Sequence, residues 1–523
     1  MQGKLEDIIK KGYFPAELPP PFSTEMLVHF LPSIRKLLDK LEERQSCSVR
    51  YSIPKRGEDR RDVYIPNPRQ QIQLSRAVAV MLPYYNLNNK KESNFMSLST
   101  VMEARTRALK TKSSFSELQI QRVLLSTESQ FLLQLDIEKF YESITIGKIS
   151  EMLTKYPHKE LKNKKLKLDQ LPNLLMNTNS RREQGLTVGP DTSLLIAEML
   201  AEEIDEKIIC EIPNVKGIRY IDDFYFYLKD REAAETLVQK VKEILDSFHL
   251  SINPFKTKII PLPERILSSW SSKFKKFDEA KSNVYEQKFE LLRYFSDLAD
   301  LFHQHPEESV TKFGVSKISK VYIHRENWDL YEAFLLRCAL ADPRALPIIC
   351  RILFTYADKF DYNLDISKIS DTMSQIVIKY SLEGAGFEVA WALWTCLSLS
   401  IEVNNIASEP LAQMDDPIVA LLALDLVEQG LLPDCASLKR RWENKMTEDA
   451  LYGPYWILVY EAAVKGWLTT SFDQVQKDPF FGMLLKWEIS FYDREPTEYY
   501  LGIEAVELDE DQAGLDDLMF FEY

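Results

Sequence analysis

Polar and apolar positions change period several times along this chain. Four prolines, Pro15, Pro19, Pro20 and Pro21, break the N-terminal region ahead of TEMLVHFLPSIRKLLDKLEE, whose apolar positions recur at helical spacing. YSIPKRGEDRRDVYIPNP, residues 51–68, holds two short extended runs around a charged, glycine-containing turn and predicts a β-hairpin. FLLQLDI, residues 131–137, predicts a buried strand. DTSLLIAEMLAEEIDEKI places Leu194, Leu195, Met199 and Leu200 on one helical face, with Asp191 or Thr192 available as N-cap. VKGIRYIDDFYFYLKD then alternates like a hairpin, and REAAETLVQKVKEILDSFHL reads as an amphipathic helix.

Beyond about residue 270 the strand signals fade. YEAFLLRCALADPRALPIICRILFTYADKF, EVAWALWTCLSLSIEV and DPIVALLALDLVEQGLLPD are apolar helical stretches separated by Asp, Pro and Gly. They fit either irregular paired-helix repeats of the HEAT type or a compact all-α domain. The division expected is an N-terminal helical extension (1–50), a mixed α+β domain (51–270), an α-helical domain (271–500) and an acidic tail (501–523). A chain of 523 residues exceeds what one core usually serves.

The whole chain is acidic, with a formal net charge of -14, which by itself argues against polyanion binding. The charge is unevenly placed, however: residues 1–270 are mildly basic and the remainder is strongly acidic. Phosphate binding therefore remains open to the first half. No apolar run is long enough for a membrane span, and the N-terminus lacks a signal-peptide stretch, so a cytoplasmic protein is expected. The six cysteines (Cys47, Cys210, Cys338, Cys350, Cys396, Cys435) are scattered without a C-x-x-C pair, which fits buried, reduced thiols better than a zinc site or disulfides.

Candidate chemistry lies in RYIDDFYFYL, where Asp222 and Asp223 interrupt an apolar run at the expected hairpin turn. A third carboxylate, Asp136, closes the apolar strand in LDIEKFYESI, where the hairpin could bring the pair beside it. Such crowding is unfavourable for like charges unless cations compensate it. Mg²⁺ takes hard oxygen ligands together with substrate phosphates, and two ions stabilise an in-line phosphoryl displacement. The expectation is nucleotidyl transfer.

LDIEKFYESI and YIDDFYFY resemble motifs A and C of reverse transcriptases. SIPKRGEDRRDVYIPNPRQQ resembles the fingers hairpin, RREQGLTVGPDTS motif B and LSINPFKTKII motif D, all in the family's order over about residues 50–260. The resemblance implies fingers and palm, with Asp136, Asp222 and Asp223 as catalytic metal ligands for two Mg²⁺ ions (or Mn²⁺) and the Ile137 carbonyl completing the set. It implies dNTP contacts from Lys55, Arg56 and Arg61 in the fingers. Tyr141 would exclude a 2′-hydroxyl, Gln184 and Gly185 would lie beneath the nascent pair ahead of Gly189 and Pro190, and Lys256 would assist the leaving pyrophosphate.

The long helical half and GYFPAELPPPFST are similar to bacterial abortive-infection and defence-associated reverse transcriptases, in which a HEAT-like α-repeat domain follows the palm. In that group members act against phage. Some polymerise DNA without a conventional template, priming on a protein hydroxyl and assembling as trimers or hexamers; others need an associated noncoding RNA. A priming hydroxyl has to reach the metals from a protruding segment, and Tyr13 and Tyr523 are the candidates. The expected partners are dNTPs, a DNA product that a priming hydroxyl would hold covalently, and further copies of the chain. Two alternatives remain: an enzyme copying a dedicated RNA, and an inert scaffold or sensor acting through its helical half.

Overall fold

In the computed structural model the described residues are 9, 12–55, 59–81, 95–98, 100–102, 109–111, 115–154, 170–178, 183–267, 270–271, 283–433, 436–447, 449–494 and 501. Arg56, Cys435, Tyr523 and all but one residue of the expected acidic tail lie outside them. Strands β1 (Val49–Pro54) and β2 (Arg60–Ile65) form the expected hairpin, paired antiparallel from Val49↔Ile65 to Pro54↔Arg60.

A five-stranded sheet forms the centre of the following region. Its strands are β3 (Phe95–Ser97), β6 (Phe131–Asp136), β7 (Gly217–Tyr220), β8 (Asp223–Leu228) and β9 (Lys258–Pro261). The spatial order is β3-β7-β8-β6-β9, with β3 parallel to β7 and every other pair antiparallel. The short pair β4 (Thr100–Met102) and β5 (Leu109–Thr111) stands outside this sheet.

Alternation along the strands separates the sheet's two faces. Leu133, Leu135, Phe224 and Phe226 pack into one core with the helices Asp191–Glu211 and Arg231–Asp246. Leu132, Tyr225 and Tyr227 join a smaller cluster that includes Leu118 of the helix Phe115–Ser126. Asp136 and Asp223 share the parity of this second set. The strand ends thus send their carboxylates away from the face covered by the two long helices.

Two local expectations are corrected. Asp191 and Thr192 are not the N-cap of their helix: Pro190 is, with an extended backbone and no side-chain cap bond. Proline suits the helix start because the first turn needs no N–H from it, and Thr192 pairs with Gln71 instead. Of the five described cysteines, Cys350 and Cys396 are buried, Cys47 and Cys338 are half-buried and Cys210 is exposed, all with free thiols.

From Val284 onward the described chain is helical, running from Val284–Gln304 to Phe481–Lys486. No helix among the described residues is long and apolar enough to cross a membrane. The helical part is not packed only on itself. A single core joins Tyr13, Leu27 and Ile34 near the N-terminus, Val49, Tyr51, Val63 and Ile65 of β1 and β2, and residues such as Trp391, Trp456 and Phe491 of the helical part.

Polar bonds follow the same seam. The Trp456 indole donates to the Ile65 carbonyl at 3.3 Å, Asn67 donates to the Leu451 carbonyl at 2.8 Å, and the Cys47 amide donates to the Tyr452 carbonyl at 2.7 Å. Arg60 reaches Glu388, on the helix Gly386–Ser398, through two bonds of 2.9 and 2.8 Å. This fork-to-carboxylate pair has geometric specificity as well as charge. Glu388 is almost fully buried, its side chain 3% exposed against 32% for Arg60.

Removing the guanidinium would leave a charge in a poorly hydrated position. We expect Arg60→Ala to lower stability by about 2 kcal/mol and a further Glu388→Gln change to recover part of that loss, both read from the urea midpoint of unfolding.

Candidate active site

Asp136 ends β6 directly opposite Asp223 at the start of β8. The loop from β7 to β8 is only Ile221-Asp222, since Tyr220 pairs with Asp223. Three carboxylates are thereby drawn to one corner by a two-residue turn and one strand register. Asp136 is 3% exposed, while Asp222 and Asp223 are half-buried. Burial pushes Asp223 up to about 7, and the charges of Asp222 and Asp136 add to the effect. Asp222 is raised as well, first by burial and then by Asp136. Burial and mutual repulsion thus act in the same sense on these two carboxyls, with Lys256 opposing both.

Asp136 is held by the segment Asn253–Lys256, which sequence analysis credited with Lys256 alone. The Asn253 side chain donates to Asp136 Oδ2 at 3.0 Å and its amide donates to the Asp136 carbonyl at 2.8 Å. Lys256 Nζ donates to Asp136 Oδ1 at 2.8 Å. Burial opposes the Lys256 charge, but its bond to Asp136 and the nearby carboxylates outweigh this and raise its pKa. The Ile137 amide donates to the Asp222 carbonyl at 3.4 Å, which ties the strand end to the hairpin turn.

Other expected residues converge here. Tyr141 lies in the helical turn Phe140–Ser143 just past Asp136. Leu186 N donates to Tyr141 O at 2.8 Å, Gly185 N donates to Ile144 O at 2.8 Å, and Thr145 bridges to Gln184. The segment carrying Gln184 and Gly185 is thus zipped alongside Tyr141. Burial raises the Tyr141 phenol; Asp222 and Glu198 raise it further, whereas Arg61 acts in the opposite sense. Arg61 therefore lies within electrostatic reach of both Tyr141 and Asp222.

Lys55 is lowered by burial and by the charges of Arg61 and Lys256, with Asp59 and Asp136 opposing. Two cations of the β1–β2 hairpin, Lys55 and Arg61, are thus within electrostatic reach of Asp136 and Asp222 respectively. Gly189, at φ +123°, permits close approach of the fingers to the loop after Gln184: a Cβ there would stand 3.0 Å from the Tyr64 carbonyl oxygen. The Tyr64 amide donates to Val188 O at 2.8 Å in the same contact.

Tyr13 does not protrude. It is fully buried, and its hydroxyl donates to the Pro66 carbonyl at 2.7 Å.

The oxygen donors fit Mg²⁺ chemically, because hard carboxylate and carbonyl oxygens are what that ion takes. Among the described residues no three Asp, Glu, His or Cys side chains stand close enough to form a metal cage by themselves. A Mg²⁺ site built for catalysis need not supply one, since it takes one or two carboxylates and draws its remaining ligands from phosphates and water.

Arg219 was a second omission in the sequence reading. It is 0% exposed, and all three of its guanidinium nitrogens are bonded. Nε donates to Asp205 Oδ1 at 2.8 Å, Nη1 to Glu198 Oε2 at 3.1 Å and to the Ile221 carbonyl at 2.8 Å, and Nη2 to Ser97 Oγ at 3.0 Å. The available signal was a lone cation inside an otherwise apolar strand, which burial permits only with partners. Ile221 itself has φ +56°. That region costs a non-glycine residue roughly 1–2 kcal/mol.

A sheet ending in three carboxylates, roofed by a basic hairpin, defines a polymerase-type palm. Residues 53–290 match the family model for reverse transcriptase (RNA-dependent DNA polymerase), so this part of the chain is a reverse transcriptase domain. Among solved structures it is similar to apo telomerase from Candida tropicalis (13% identity, TM-score 0.33, covering 76% of this chain and 72% of that one). It is also similar to Candida tropicalis telomerase with the TWJ fragment of telomeric RNA (13%, 0.31, 79% and 67%) and to the corresponding Candida albicans complex (11%, 0.28, 68% and 67%). None of the curated proteins compared with the chain matches it.

The Asn253 bonds make a direct prediction. Asn253→Ala should reduce polymerisation about tenfold by releasing one Asp136 oxygen, with little change in melting temperature. Asn253→Asp, which sets a like charge against Asp136, should reduce it further; rates of labelled-nucleotide incorporation compare the two.

Proposed function

We propose that this protein is a metal-dependent DNA polymerase that joins dNTPs, and that it serves in antiphage defence. The observation that carries the chemical part is the convergence of Asp136, Asp222 and Asp223 at paired strand ends, with Lys55, Arg61 and Lys256 in electrostatic contact with them. Asp136, Asp222 and the Ile137 carbonyl would hold the two ions, and Asp223 would keep the cluster in register. When bound, the ions supply Lewis-acid stabilisation to the attacking and departing oxygens.

A hydroxyl releases its proton to water as its oxygen attacks the α-phosphorus of the dNTP, forming one P–O bond while that to pyrophosphate breaks. Lys55 and Arg61 bind the triphosphate oxygens and Lys256 meets the negative charge gathering on pyrophosphate. The partly buried Tyr141 ring, beside Gln184 and Gly185, offers the sugar a floor that leaves no room for a 2′-hydroxyl.

The defence role is supported by the resemblance of the N-terminal segment and long helical half to the defence-associated group. Protein priming within that reading cannot use Tyr13 as it is placed here, since its hydroxyl is enclosed against Pro66.

Purified protein given labelled dNTPs and Mg²⁺ should make DNA, and Asp222→Ala with Asp223→Ala should abolish both synthesis and protection from phage. Synthesis that survived the double change would remove the basis of the proposal. Tyr141→Ala should raise the use of ribonucleotides relative to deoxynucleotides by about tenfold or more, measured by competition. Ribonuclease treatment before the assay separates copying of an RNA, which it would stop, from untemplated synthesis.

A further inference from the structure

We infer that Arg219 is a positioning residue that sets the geometry of the metal-binding turn through the Ile221 carbonyl. The inference rests on reading Asp136 and Asp222 as metal ligands and adds what holds Asp222 in place. A two-residue hairpin loop whose first member has positive φ normally calls for glycine there. Here it is Ile221, at φ +56°, a β-branched residue poorly suited to that conformation. A strained backbone of this kind persists only when its surroundings over-determine it.

Arg219 provides that determination. Its Nη1 donates to Ile221 O at 2.8 Å, immediately before Asp222. The same side chain is fastened behind the turn by Glu198 and Asp205, two turns apart on one face of the helix Asp191–Glu211. Its Nη2 also reaches Ser97 Oγ on β3 at 3.0 Å. One planar group therefore links the helix that opens at Pro190, the edge strand and the catalytic turn. The geometry requires a guanidinium: its donors diverge in a rigid fork, whereas an ammonium is a single point and cannot bond the helix carboxylates and the turn carbonyl in the same arrangement.

A residue that merely glued the sheet to the helix would affect stability and metal binding together. A residue that positions the turn should affect metal binding out of proportion. The two roles separate in a comparison of Arg219→Lys with Asp205→Asn, because the latter removes an anchor and leaves the bond to Ile221.

Binding of Mn²⁺ alone, without nucleotide, is measured by calorimetry on the full-length protein, alongside melting temperature. Arg219→Lys is expected to weaken Mn²⁺ binding by about tenfold or more. Asp205→Asn should weaken it by less than about threefold while lowering the melting temperature. Adding Ile221→Gly to Arg219→Lys should restore much of the lost affinity, since glycine takes positive φ without support.

Arg219→Lys binding within about twofold of the parent, or an equal loss in both single variants, would overturn the assignment. If Arg219→Lys does not fold, Asp205→Asn decides alone: a loss of about tenfold there overturns the assignment and a small one upholds it. Failure of the parent protein itself to bind Mn²⁺, or undiminished binding in Asp222→Ala with Asp223→Ala, would instead overturn the metal-site reading beneath it.

Discussion

Like charge in a confined space is the constraint to which the first half of this protein answers. Asp136, Asp222 and Asp223 are brought together by strand pairing, and their mutual repulsion would favour any movement that spread them. Two of the three are restrained by specific bonds. Asn253 and Lys256 take both oxygens of Asp136, while Arg219 holds the carbonyl just before Asp222. These restraints come from different sides of the sheet and from segments far apart in sequence. The carboxylate corner is thereby held in place by the protein's own bonds, the kind of preorganisation that transfer chemistry rewards.

The roof over that corner belongs to the other half of the molecule. β1 and β2 bury Val49, Tyr51, Val63 and Ile65 in the same core as the helical region, and Arg60 is forked onto Glu388. Arg61, its neighbour on the strand, lies instead within reach of Asp222 and Tyr141. Strand alternation explains the division of labour: adjacent residues point to opposite faces, so one arginine anchors the hairpin while the next faces the site. The long helical region thereby helps to fix where the β1–β2 hairpin stands over the three aspartates.

What was legible in the sequence follows the range of the interactions involved. The β1–β2 hairpin, β6, the β7–β8 turn and the helix Arg231–Asp246 rest on local periodicity, turn chemistry and capping, and all were readable. The three aspartates stood out because charge in an apolar run demands a reason. Asn253 gave no comparable signal, since asparagine before proline is ordinary turn composition, and its role appears only when β6 brings Asp136 to it. Arg219 was visible as an anomaly, but its partners lie on another helix and another strand. The shared core of the fingers and helical part was not legible either, because apolar periodicity says which face is buried and not what covers it.

The N-terminal segment shows how far this long-range construction extends. Gly12 lies so close to Asp191 that a Cβ would fall 2.0 Å from its carboxylate oxygen, and burial raises Asp191 to about 6. A few residues on, the Glu17 carbonyl accepts the Trp391 indole N–H at 2.9 Å, and Pro21 and Ser23 exchange backbone bonds with Asp493 and Phe491. One short, proline-stiffened stretch thus touches the helix Asp191–Glu211 at one end and the segment Phe491–Asp493, beyond the last described helix, at the other. Proline limits the conformations such a stretch can lose on folding, so holding it in place costs less entropy than its length suggests. The segment that sequence inspection offered for its exposed tyrosine is better understood as a strap, and Tyr13 is one of the points at which it is fastened.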